Sequence, residues 1–133
     1  MKEPLVLLPG MMCDARLFGP QIAELSSDMA IMVAPVTIGE RIEEIASTLL
    51  DILPKRFALV GHAMGGAVAM EILRRAPDRV SRIALIDTHP LAETPAIAAA
   101  REPQIVKVRS ARFDEVMREE MPLSALAPSP YRK

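Results

Sequence analysis

Short apolar runs and helical-period stretches alternate along this chain. Leu5-Val6-Leu7-Leu8 is continuous and apolar, bounded by Pro4 and by Pro9-Gly10. Such a run suits a strand buried on both faces of a parallel sheet. Residues 15–26 follow as a helix, with Leu17, Phe18, Ile22 and Leu25 on one side and Pro20 tolerated in its first turn. Residues 30–34 form a second strand, stopped by Pro35. Residues 38–53 carry the clearest helical period. Ile38, Ile42, Ile45, Leu49 and Leu53 fall on one face, and Glu40, Glu43, Glu44 and Asp51 on the other. Pro54 ends that helix.

The next stretch organises the rest. Phe57-Ala58-Leu59-Val60-Gly61 reads as a third buried strand, and His62-Ala63-Met64-Gly65-Gly66 follows at once. Val68, Met70, Ile72 and Leu73 then continue without Pro or Gly, while Glu71, Arg74 and Arg75 mark a wet side. A strand therefore enters a tight turn and a helix leaves it. Gly61 and Gly65 flank the tip, where two backbones come close and a Cβ would clash. Gly66 lets the start of the helix lie near the sheet. Residues 80–87 form a fourth strand. Strands alternating with helices through short loops imply a parallel sheet with right-handed crossovers.

After Leu91 the pattern loosens. Pro95 and Pro103 interrupt an Ala-rich stretch, and Phe113, Val116, Met117 and Met121 mark a short amphipathic helix. The Pro-rich end shows no structural stop.

Composition narrows the function classes. Half of the 133 residues are hydrophobic, 25% are charged and the net charge is -1, as in a globular domain. There is no electrostatic footprint for nucleic acid, and aromatics at 3% leave few base-stacking platforms. The single cysteine, Cys13, rules out an internal disulfide and a cysteine-based metal site. No run approaches membrane-spanning length, and no signal-peptide pattern opens the chain, so a cytoplasmic location is the default. No metal, nucleotide or flavin site is visible, and no cofactor is expected.

The frame Gly61-x-Ala63-x-Gly65 is that of the nucleophile elbow G-x-S-x-G, with alanine in the serine position. On these residues, over 4–88, the chain resembles the N-terminal half of an α/β-hydrolase, close to esterase-like members with G-H-S-M-G-G. The resemblance implies an α/β fold: a parallel sheet of about four strands, ordered second, first, third, fourth, with helices on both faces. Residues 1–90 would be the core, and 91–133 the start of a helical lid, apparently cut short. It also implies a small ester or acyl substrate and an oxyanion hole from the backbone N–H groups of Met64 and Met11. The family often has His-Gly where this chain has Pro9-Gly10.

Ala63 cannot form an acyl-enzyme, because it has no hydroxyl. The family's acid and histidine lie after later strands. Asp87 is a candidate acid, although a loop-capping role suits it better. His62 is a weaker candidate as base and Cys13 as nucleophile, and His89 lies with Asp87 just past the fourth strand. Arg74, Arg75, Arg79 and Arg82 read as a solvated face at a helix end. The strand from Ile83 to Ile86 would present a bare apolar edge, open to self-association or to pairing with a missing C-terminal half. The leading expectation is an esterase-like hydrolase, inactive as this chain stands. The alternatives are a water-using, non-covalent hydrolase and a pseudohydrolase that only binds a small ligand.

Overall fold

The computed structural model describes residues 3–129. Four parallel strands form one sheet: β1 (Leu5–Leu8), β2 (Ile31–Val33), β3 (Phe57–His62) and β4 (Val80–Ile86), in the order β2-β1-β3-β4. Leu5 stands opposite Ile31 on one side and Ala58 on the other, so β1 is central although it comes first. The order changes direction between β1 and β3, and the loops after both strands meet at that point. β4 carries an irregularity at its start. Phe57 pairs with Val80 and Ala58 with Arg82, which leaves Ser81 over, and the Ser81 hydroxyl donates to the Phe57 carbonyl at 3.2 Å.

The contacts divide the chain after Leu91 into two compact units. In the first, α2 (Ile42–Ile52) and α3 (Met64–Arg75) pack together over one sheet face. Val6, Leu8, Leu59, Ile45, Ala46, Leu49, Val68, Ala69 and Ile72 form that core. Phe57, Leu59 and Gly61 are buried in alternation with half-buried Ala58, Val60 and His62, which face the other side. There, a 3₁₀ turn (Ala15–Phe18) and α1 (Gly19–Leu25) border an apolar groove of about 310 Å³ over Leu5, Leu7, Val60, Ala84 and Ile86.

The single helix expected over 15–26 is thus split, and of its four apolar residues only Phe18 is buried. The helix expected from residue 38 begins only at Ile42. Gly39, at φ 138°, breaks the first turn, and the Glu44 carboxylate accepts from the Glu40 N–H ahead of the helix. Ile38 still packs on the core from outside the helix.

Arg79 corrects a second expectation. It is not part of a solvated face. Its guanidinium donates to the carbonyls of Leu50, Leu53 and Pro54 at 2.9, 2.9 and 2.8 Å, and it lies 5.8 Å from the centre of the Phe57 ring. Carbonyls at a helix C-terminus lack partners within the helix and carry partial negative charge, so a cation is favoured there. Arg74 and Arg75 instead grip Glu71 from within α3.

The second unit holds α4 (Pro95–Arg109) and α5 (Phe113–Glu120). Thr94 caps α4 by accepting from the Ile97 N–H, and Pro95 takes the first-turn position where its missing N–H costs nothing. Pro103 does not interrupt this helix, contrary to the expectation from composition; it sits inside it. Lys107 bridges from α4 to Glu119 at 2.8 Å and Glu115 at 3.4 Å on α5. Among the described residues, no helix is long and apolar enough to cross a membrane.

Candidate functional site

The turn between β3 and α3 is made by a single residue. Ala63 alone separates His62 from Met64, at φ 50° and ψ -116°. A residue with a side chain rarely adopts this conformation, and it persists only where its surroundings enforce it. The enforcement can be traced bond by bond. The Ala63 N–H donates to the Ile86 carbonyl at 3.0 Å. Its carbonyl accepts from the Gly66 N–H at 2.9 Å, the Ala67 N–H at 3.3 Å and the Thr88 hydroxyl at 2.8 Å.

The glycines leave no room for substitutes. A Cβ on Gly61 would stand 2.5 Å from the Gly65 carbonyl oxygen. One on Gly65 would run into the carbonyls of Leu8 and Pro9. Gly66 lies against Thr88, in the loop after β4, rather than simply close to the sheet: a Cβ there would fall 2.5 Å from the Thr88 Cβ and hydroxyl.

The loop after β1 flanks the turn. A Cβ on Gly10 would lie 3.2 Å from the Ala63 Cβ and 2.7 Å from His62 Nδ1. The Cys13 N–H closes a turn onto the Gly10 carbonyl at 3.1 Å, which carries Met11 and Met12 outward with exposed side chains. Cys13 itself is half-buried and unpaired by disulfide. Gly10 and Ala63 are thus brought together, Met11 follows Gly10, and Met64 opens α3 beside Ala63. Dipole and unpaired N–H groups make the start of such a helix favourable for negative charge.

His62 points with Val60 toward the groove on the α1 side, and its Nδ1 is buried with no hydrogen-bond partner among the described residues. Asp87 follows β4 at φ 47°, exposed, and makes no hydrogen bond or ion pair among the described residues. His89 is exposed and its Nδ1 accepts from the Leu91 N–H at 3.2 Å. The residue that sequence reasoning passed over is Thr88. A helix-start glycine such as Gly66 signals a close neighbour, but not which neighbour.

The sequence profile of the alpha/beta hydrolase fold family matches residues 37–124. Together with the parallel sheet and the turn at Ala63, this shows that the chain belongs to the α/β-hydrolase fold family. Among solved structures, a thermophilic esterase from Thermogutta terrifontis superposes with a TM-score of 0.75 at 24% identity, over 95% of this chain and 51% of its own. An extracellular α/β-hydrolase from a Paenibacillus species gives 0.63 at 23%, over 82% of this chain and 53% of its own. An epoxide hydrolase from Bacillus megaterium gives 0.60 at 16%, over 66% and 36%. The chain therefore spans about half the length of the esterase it matches.

Proposed function

We propose that this chain is the N-terminal half of an esterase-type hydrolase, acting on a small ester or related acyl compound. Ala63 occupies the nucleophile position, and the backbone N–H groups of Met64 and Met11 form the oxyanion hole. The observation that carries the reading is the conformation of Ala63, φ 50° and ψ -116°, at the junction of β3 and α3 with Gly10 beside it. A turn that costs free energy yet lifts a side chain toward a helix N-terminus is what nucleophile presentation needs. Donors fixed in place before reaction stabilise an oxyanion without reorganising.

In this reading a C-terminal half supplies the histidine base and adds a parallel strand beside β4, where Ile83, Leu85 and Ile86 are exposed. Asp87, at the end of β4, is the candidate for orienting that histidine. The chain as it stands makes no acyl-enzyme, because a methyl group has no lone pair to attack with. The test is Ala63→Ser in the native coding sequence read past codon 133, assayed on short-chain esters. Turnover is expected with serine and not with alanine. A folded serine variant without turnover would sink the proposal.

The methyl at position 63 also favours a second reading, a pseudohydrolase that holds a small ligand without converting it. That reading predicts saturable binding of ester or carboxylate analogues by the natural gene product, with no turnover by either variant.

A further inference from the structure

We propose that Thr88 is the positioning residue of the elbow, aiming the Met64 N–H through the Ala63 carbonyl. The inference rests on the reading of Ala63 and Met64 given above. The Ala63 carbonyl and the Met64 N–H belong to one planar, trans peptide unit and point in opposite directions. Whatever fixes the oxygen fixes the N–H. Two of the donors to that oxygen, the Gly66 and Ala67 N–H groups, are part of the helix start and move with it. The Thr88 hydroxyl is the donor from outside, reaching across from the far end of β4 at 2.8 Å.

The preceding peptide is held from the same place. The Ala63 N–H donates to Ile86 at 3.0 Å, so both peptide planes around the strained residue are anchored to residues 86–88. Gly66 makes the anchor possible, since any Cβ there would occupy the space of the Thr88 side chain. The Thr88 side chain is half-buried, and its hydroxyl donates to the Ala63 carbonyl.

A thiol placed at the tip reports the direction of these dipoles without requiring catalysis. In the present chain carrying Ala63→Cys with Cys13→Ser, the rate of alkylation by iodoacetamide is followed against pH. A thiol at a helix N-terminus titrates below its ordinary value of about 8.5. That depression is expected with Thr88 and with Thr88→Ser, which keeps the hydroxyl. Thr88→Ala and Thr88→Val, which remove it, are expected to raise the thiol pKa by about half a unit, slowing alkylation at pH 6 about threefold. Circular dichroism checks that each variant is folded, and two hydroxyl-free variants of different size guard against loss of one. The same thiol pKa in the alanine, valine and serine variants would overturn the role of Thr88 alone. An ordinary thiol pKa with Thr88 intact would overturn the elbow reading beneath it.

Discussion

Gly65 on α3 lies directly against the carbonyl of Leu8 at the end of β1, with no space between them for a single carbon. The contact is backbone to backbone, so no rotamer change can relieve it. Gly65→Ala is expected to destabilise the fold by about 3 kcal/mol, at the upper end for an overpacked site. Urea unfolding followed by circular dichroism measures it. A loss under about 1 kcal/mol would mean that α3 can lift away from β1 freely.

Ala63 holds a conformation that favours glycine. Ala63→Gly removes the steric cost, of order 1–3 kcal/mol, and gives back part of it through the freer unfolded chain. The net expectation is a stabilisation of about 1 kcal/mol, seen as a higher urea midpoint at unchanged slope. A destabilised glycine variant would show that the turn is relaxed around the methyl group.

Arg79 closes the C-terminal end of α2 with three carbonyl contacts. Arg79→Met keeps much of the packing on Phe57 but leaves those oxygens without their cation. The expected loss is about 2 kcal/mol, the scale of hydrogen bonds to a charged donor. Thermal unfolding of the variant checks this. Arg79→Lys should recover only part, since an ammonium cannot span the three oxygens as a planar fork does.

Glu71 sets an acid limit of modest size. Hydrogen bonds from Arg74 and Arg75 hold its carboxyl down to about 2, from an ordinary value of 4.5. The folded value lies below the unfolded one. The stabilisation is therefore fully present above pH 4.5 and fades as pH falls toward 2. Because Arg74 is 69% exposed, solvent screens the pair, and the contribution is under ~1 kcal/mol. Glu71→Gln should flatten the fall of stability across that window and leave stability at pH 7 within the same margin. An unchanged acid-unfolding curve would show that the pair contributes nothing.

How far these features could be read from the residues depended on whether their cause was local. Leu5–Leu8 is legible because Pro and Gly bound a short apolar run, the third strand is legible as far as Gly61 although it runs on to His62, and the turn at 61–66 is legible from its glycine spacing. The strand order came from the resemblance, since composition does not say that β1 lies between β2 and β3. The start of α2 was misplaced by four residues because apolar periodicity runs through Gly39, and a half-turn outside a helix can still aim Ile38 at the core. Pro103 is a helix breaker by its residue type alone, and only the structure shows the helix continuing on both sides of it. Arg79 and Thr88 were invisible for a stronger reason. Their partners lie 25 to 29 residues away for Arg79 and 25 away for Thr88, and only the folded sheet brings them together.

The central position of β1 has a consequence for the order of assembly. The strand that is synthesised first has its second neighbour only when residues 57–62 have been made, and the anchors of Ala63 come later still, from Ile86 and Thr88. Until β4 docks, residue 63 lacks its bonds to Ile86 and Thr88, and its unfavourable backbone state is held only by the start of α3 and by the glycine contacts. The anchoring of the cleft is thus completed from the far end of the first unit, and a ribosome-bound chain ending before residue 86 would carry the turn without two of its four fastenings.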